Sequence, residues 1–193
     1  YLGLTLDSHL TFSKHIDNIC KKANITLGLI RRNTYHCQRY VKIDAYNTYV
    51  RPLLDYAAFV WSPHTATNTG KLESIQRRAA RYVMSDHERF SSVSNMISVL
   101  NWKNLKQRRD IQSLCIFYKI LNGLVDVSPP ICVISNQLAT RGHDNKFVHI
   151  SSRVDAYKFS FFPRIVPLWN KLPDYAISAA NFDLINQYLN CII

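Results

Sequence analysis

The sequence predicts a mainly α-helical bundle with a short N-terminal strand and a small extended or β part near its C-terminus. Apolar residues recur at steps of three or four over most of the chain, which is the period of an α-helix. Glycine is scarce, with 5 among 193 residues, and strand-like runs are confined to the two ends. Because 47% of the residues are hydrophobic, the chain can bury a core, which excludes a disordered protein.

The elements follow in chain order. Residues 1–6 (YLGLTL) form an apolar run that predicts a short strand. The next apolar stripe predicts an amphipathic helix with Ser13 as its N-cap, because the Ser hydroxyl can accept a hydrogen bond from an unpaired N–H of the first turn. The stripe consists of Phe12, Ile16, Ile19, Ala23, Leu27 and Ile30.

A second helical pattern covers residues 39–61, and Pro52 is expected to break or kink it because proline lacks a backbone donor. Further helices are predicted at about 71–84, 93–100 and 104–122. Gly123 follows the last of these and is a suitable residue to end it.

The sequence VSPP at 127–130 marks the clearest break in the helical pattern. We therefore expect a first region at 1–123, a linker at 124–137 and a small aromatic-rich subdomain at 138–193. Residues 147–150 and 157–162 are predicted as strands or extended arms, and a last helix is predicted at 181–190.

The charge is strongly basic and unevenly distributed. Lys and Arg number 24 against 13 Asp and Glu, a formal net charge of +11. Residues 1–63 carry +4, residues 64–125 carry +6 and the remainder carries +1. This excess predicts a polyanionic partner, nucleic acid before an anionic membrane surface. No apolar run approaches the roughly 18 residues of a membrane helix, so no membrane partner is expected.

The sequence contains few groups that could carry chemistry of their own. It has neither a glycine-rich phosphate loop nor an adjacent Asp pair, and two-metal transfer needs converging carboxylates. Asp86 and Glu88 flank His87 and are interpreted either as half of a metal site or as a solvated loop. We predict no catalytic residue, no metal ligand and no cofactor in this chain. The five cysteines form no CxxC pair and are odd in number, which favours a reducing nuclear or cytoplasmic location.

Basic residues on predicted helices are the remaining candidates for a site. Lys and Arg on a helix neutralise phosphates without reading bases, whereas the alternative is an ordinary hydrated surface. The candidate nucleic-acid-binding residues are Lys21, Lys22, Arg31, Arg32, Arg77, Arg78, Arg81, Lys106, Arg108 and Arg109. The tryptophans are predicted to pack in the core rather than to stack on bases.

Several strings, in one order along nearly the whole chain, resemble the region that follows the catalytic palm in reverse transcriptases of non-LTR retrotransposons of the jockey-like type. Examples are YLGLTLDS at 1–8, VRPLLDYA at 50–57, IQRRAAR at 75–81, FYKILNG at 117–123 and LWNKLP at 168–173.

The resemblance implies a piece of an RNA-directed DNA polymerase whose helices from 11 to about 122 form a thumb-like region that holds the template–primer duplex. It also implies a primer grip at Leu2, Gly3 and Leu4. The family's catalytic Asp-Asp motif precedes the matching region, and it is absent here. Because the chain begins at Tyr1 and not at Met, we expect a piece of a longer polypeptide, inactive alone, with Mg²⁺ only at the missing palm site.

The expected partners are an RNA–DNA hybrid or the element's RNA, together with the rest of the parent polymerase. The alternative is a domesticated or stand-alone helical module that binds another protein and has no polymerase activity. Exposed Tyr and Trp forming an apolar patch, with dispersed arginines, would favour that alternative.

Overall fold

A computed structural model describes residues 1–127, 145–179 and 181–193, and over these residues the protein is mainly α-helical, as predicted. No helix in these ranges has the length and apolar character needed to cross a membrane. The chain divides into two compact units, Tyr1–Arg108 and Arg109–Ile193. Most of the predicted linker, residues 128–137, lies outside the described residues.

The first unit is built from six helices and one π-helical turn before α7 begins. They are α1 (Ser13–Asn33), α2 (Arg39–Ala45), the π-helical turn (Tyr46–Val50), α3 (Arg51–Asp55), α4 (Ala58–Trp61), α5 (Ala66–Met84) and α6 (Val93–Val99). Helix α7 (Leu105–Leu121) starts in this unit and continues into the second. The core lies between α1, α5 and the α2–α4 segment, with Trp61 and Leu72 fully buried in it.

Helices α1 and α5 run parallel to each other. Asn68 Nδ2 donates to Ser13 Oγ at 2.9 Å, Lys71 Nζ contacts Asp17 Oδ1 at 2.7 Å, and Arg78 Nη1 donates to Asn24 Oδ1 at 2.8 Å. Residue numbers therefore rise together along both helices. The sequence predicted Ser13 as the N-cap of α1, but Ser13 is the first residue of the helix. The N-cap is Phe12, which has a left-handed φ of 54°.

The interruption predicted at Pro52 takes the form of the π-helical turn. The N–H of Arg51 donates to the carbonyl of Tyr46, five residues back, and Pro52 then lies at the start of α3. Proline is tolerated in the first turn of a helix because the N–H groups there have no intrahelical acceptor. The wider turn thus lets the helical segment continue past Pro52 instead of ending there.

The predicted strand at residues 1–6 is wrong. Leu2 and Gly3 have φ of 47° and 83°, and the N–H of Leu4 donates to the carbonyl of Tyr1 at 2.8 Å. A strand needs strongly negative φ at every residue, so residues 1–4 form a turn and not a strand. Side chains of the first unit hold this turn in place: the hydroxyl of Tyr56 donates to Leu2 O at 3.1 Å, and Leu4 packs against the core.

The second unit packs the later part of α7 with α8 (Asp155–Lys158), α9 (Phe161–Trp169), α10 (Asp174–Ile177) and α11 (Phe182–Ile192). Phe117 lies at its centre and contacts the rings of Phe147, Phe162 and Trp169 at centroid distances of 5.5, 6.4 and 5.2 Å. Asn170 clamps an extended segment by accepting from Phe147 N–H at 3.0 Å and donating to its carbonyl at 2.8 Å.

The small β part predicted for this region is not observed among the described residues. Residues 157–162, predicted as a strand or an extended arm, contribute instead to α8 and α9. The aromatic run favours a strand locally, but a helix places Ile165, Val166 and Trp169 together in the core, and burial outweighs the local preference.

His15 links the N-terminal segment to the core and predicts a pH effect on stability. Its Nδ1 accepts from the N–H of Thr5 at 3.2 Å, and its ring packs against Trp61. Burial, followed by the positive charge of Lys22, lowers the pKa of His15. The folded state therefore disfavours the proton that the unfolded chain accepts at about pH 6.5. The stability contribution of neutral His15 is complete above that pH and is lost as the pH falls below it.

We expect the free energy of unfolding to fall between about pH 7.5 and about pH 5.5 by more in the wild type than in His15→Gln, since Gln accepts the Thr5 N–H without titrating. Urea denaturation of both proteins at both pH values measures this difference. The exposed histidines are the same in the two proteins and cancel. Equal losses in the two proteins would show that His15 does not titrate differently on folding.

Candidate nucleic-acid interface

Four of the predicted basic residues lie on rows of α1 and α5 opposite the buried rows: Lys21, Arg32, Arg77 and Arg81. In α1, Lys21 and Arg32 share one row with Ile25 and Gly28, because steps of four, three and four return to the same helix face. In α5, Arg77 and Arg81 share the corresponding row with Gly70 and Ser74. The buried rows of both helices belong to one core cluster, so the rows opposite them face solvent. We call the surface formed by these two rows the outward face.

Five of the predicted cations extend into solvent from these helices or from the start of α7. They are Lys21, Arg31, Arg32, Arg77 and Lys106, all exposed. Within the described ranges, their side chains form no hydrogen bond or ion pair. Lys22 is also exposed, but it lies to the side of the row that contains Lys21.

Arg78 and Arg81 make structural contacts as well as contributing charge. Arg78 lies at the seam between the helices, where it binds Asn24 and also donates to Ser74 Oγ at 3.3 Å. Arg81 donates to the carbonyl of Glu88 at 2.8 Å and thereby holds the loop after α5. Substituting either arginine would change the scaffold together with the charge.

Arg108 and Arg109 differ from the other predicted residues because folding covers them. The Arg108 guanidinium forms an ion pair with the carboxylate of Asp55 and is 23% exposed. Arg109 is only 1% exposed, one turn after the buried Leu105 on the same face of α7. The step of four from Leu105 is the sequence signal that would have indicated this burial.

A cavity of about 500 Å³ opens at the C-terminal end of α1. Gly28, Arg31 and Arg32 contribute the helical wall, and Tyr35 and His36 follow from the loop. The two rings meet edge to face, with centroids 4.9 Å apart and planes at 88°. Tyr35 and His36 were not among the predicted site residues, although an aromatic pair so close to an Arg pair is the kind of interleaving that suits a nucleic-acid contact.

The other predicted site residues are placed elsewhere. Leu2, Gly3 and Leu4 form the N-terminal turn. In the loop of Asp86, hydrogen bonds from Ser91 and from the backbone N–H of Glu88 lower the pKa of Asp86, and these contacts close the loop on itself. Among the described residues, no group of three or more His, Cys, Asp or Glu side chains is placed to hold a metal ion.

The chain resembles one curated protein of undescribed function. It is 25% identical over 186 residues to the uncharacterized protein B0403.1 of Caenorhabditis elegans, and the similarity covers 94% of this chain and 86% of that protein. No protein-family model matches the chain. No solved structure matches it either.

Proposed function

We propose that this chain binds an RNA–DNA duplex and contributes that binding to an RNA-directed DNA polymerase like those of non-LTR retrotransposons, inside the cell in the nucleus or the cytoplasm. Helices α1 and α5 serve as a thumb that holds the template–primer. The duplex lies along the outward face, and its phosphates meet Lys21, Arg32 and Arg77. Chemistry is left to the rest of the parent polymerase, where Mg²⁺ would bind.

The observation that supports this proposal is the parallel packing of two basic helices. Lys21 and Arg32 lie eleven residues apart on one face of α1, and at about 1.5 Å per residue they are separated along the helix by about 16 Å. Arg77 adds a second line of charge on α5, and these three side chains form no ion pair with a described residue. Exposed unpaired cations release counterions when they meet phosphates, so binding follows the backbone and not the base sequence.

The placement of the tryptophans argues against the alternative of a protein-binding module. Trp61 and Trp169 are buried in the cores of the two units and offer no anchor to a partner. Protein interfaces are typically centred on buried aromatic anchors, with fewer charges in the middle. The outward face instead carries four cations along its two rows, Lys21, Arg32, Arg77 and Arg81.

The proposal is tested by titrating the chain with a labelled RNA–DNA hybrid over a series of salt concentrations and following fluorescence anisotropy. We expect a linear decrease of log affinity with log salt. In the triple variant Lys21→Gln, Arg32→Gln, Arg77→Gln, the slope is expected to fall by about one for each phosphate that no longer meets a cation. The affinity should fall by the same factor for hybrids of different sequence, because phosphate contacts carry no sequence information.

A matched control removes three positive charges from exposed positions of the second unit, with Arg153→Gln, Lys158→Gln and Lys171→Gln. It changes the net charge as much as the test variant does, so a general charge effect would weaken both equally. We expect the control to keep nearly the wild-type slope. Wild-type binding that is absent or independent of salt, or equal losses in the two variants, would contradict the proposal.

A further inference from the structure

We infer that the cavity at the end of α1 binds one unpaired nucleotide of the nucleic acid, with its base against Tyr35 and its phosphate on Arg31 and Arg32. This inference rests on the proposed function and names the part of the ligand that the cavity takes. The cavity is an open surface depression of about 500 Å³, which a ligand can enter from solvent. We call it the α1 pocket.

The lining of the α1 pocket matches the two parts of a nucleotide. The guanidinium groups of Arg31 and Arg32 present planar sets of donors that suit phosphate oxygens. The ring of Tyr35 is 68% exposed and is packed edge-on by His36, so a face of it remains open to a flat partner. Stacking of a base on an aromatic side chain suits any base, because every base has a π-face.

Gly28 keeps the floor of the α1 pocket open. It lies inside α1, and a Cβ added there would have no neighbouring atom within 4 Å. Any larger side chain at position 28 would therefore extend into the cavity without disturbing the helix. The position thus offers a way to fill the pocket while leaving Arg31, Arg32 and Tyr35 unchanged.

The loop that carries Tyr35 is attached firmly to α5. The hydroxyl of Thr34 donates to Ile30 O at 2.8 Å and is hydrogen-bonded to the hydroxyl of Tyr82, which is itself buried. Lys42 lies over the Tyr82 ring at 5.4 Å and donates to Ser85 Oγ at 3.0 Å. Because these contacts hold the loop before any ligand arrives, binding orders few additional groups.

An unpaired nucleotide fits this site better than a base-paired one. Inside a duplex both faces of a base are covered by its neighbours, so Tyr35 can stack only on a base that has left the helix or ends it. Arg32 belongs both to the outward face and to the α1 pocket. A strand that leaves a duplex lying along α1 would therefore enter the pocket directly.

The test compares a blunt RNA–DNA hybrid with the same hybrid carrying a short single-stranded overhang at its 3′ or its 5′ end. For the wild type we expect the overhang of one polarity to bind about 5- to 150-fold more tightly than the blunt hybrid, the ratio that corresponds to stacking one base. Tyr35→Ala should abolish this ratio and leave the blunt affinity unchanged, and Tyr35→Phe should retain it. Both substitutions are at an exposed side chain, so the fold is preserved.

Gly28→Leu should also abolish the ratio by filling the pocket. Gly70→Leu makes the same change at an open position inside α5, and we expect it to keep the ratio. A wild-type ratio near one, with salt-dependent blunt binding intact, would overturn the inference and leave the proposed function standing. Equal losses of blunt and overhang binding in Tyr35→Ala would also overturn it. Absence of any hybrid binding would instead contradict the proposed function itself.

Discussion

Trp61→Ala is expected to lower the free energy of unfolding by about 3–5 kcal/mol, which is the cost of removing a fully buried Trp. Trp61 is 0% exposed, and its indole N–H donates to the carbonyl of Tyr56 at 2.8 Å. Its ring packs at 5.5 Å against His15, which in turn holds Thr5. The substitution therefore opens a large cavity, leaves a carbonyl without its donor and loosens the N-terminal segment.

Two further substitutions divide this loss into its parts. Trp61→Phe keeps a ring in the core but leaves the Tyr56 carbonyl unpaired, so it should cost less than Trp61→Ala and still about 1–3 kcal/mol for the carbonyl. Val60→Ala, at a neighbouring half-exposed position, should cost less than about 1 kcal/mol. Urea denaturation followed by circular dichroism measures all three. A Trp61→Ala loss no larger than that of Val60→Ala would contradict the burial of the indole.

Asp55→Asn is expected to destabilise the protein by about 2–3 kcal/mol, because it removes one partner of a largely buried ion pair. Asp55 is 12% exposed; its Oδ2 pairs with the Arg108 guanidinium and lies 3.7 Å from Arg51 Nε. Removing one partner of a fully buried ion pair costs roughly 3–5 kcal/mol. The loss expected for Asp55→Asn is smaller because Arg108 is 23% exposed, so water still solvates part of its charge. Burial, followed by the negative charge of Asp55, raises the pKa of Tyr46.

The matched control is Asp17→Asn, which breaks the ion pair with Lys71 at 2.7 Å. The side chain of Asp17 is 48% exposed and that of Lys71 is 40% exposed, so loss of this ion pair should cost no more than about 1 kcal/mol. The double variant Asp55→Asn, Arg108→Gln should cost less than the sum of its two single variants, because the second change removes the uncompensated cation. Equal losses for Asp55→Asn and Asp17→Asn in urea denaturation would show that the Asp55 pair is not a buried one.

Helical spacing predicted the buried side of α1 correctly. Ile16, Ile19, Ala23, Leu27 and Ile30 are all in the core, because the period of apolar residues directly encodes which face of a helix is covered. Residues 157–162 show no such helical period. Their aromatic run suits a strand and a buried helix equally well, so the sequence did not distinguish the two. The N-terminal turn was predicted as a strand because residues 1–6 are mostly apolar. The pattern of apolar residues does not report the positive φ of Leu2.

The candidate site was predicted in part. Arg31, Arg32, Arg77 and Lys21 are exposed as expected, because charged residues opposite an apolar stripe face solvent. The pairing of Arg108 with Asp55 joins residues 53 positions apart, and no local pattern reports such a contact. The α1 pocket depends on Tyr35 being held by Thr34 and Tyr82, a contact that spans 48 residues.

The amino-acid sequence by itself determined that this protein is a basic, mainly helical chain, because composition and helical period depend only on the order of residues. Only the tertiary structure decided which cations are available to a ligand. Packing of α1 and α5 on the core leaves Lys21, Arg32 and Arg77 exposed on the rows that face solvent, and folding covers Arg108 and Arg109. Charge is a property of each residue, whereas its exposure depends on partners distant in the chain.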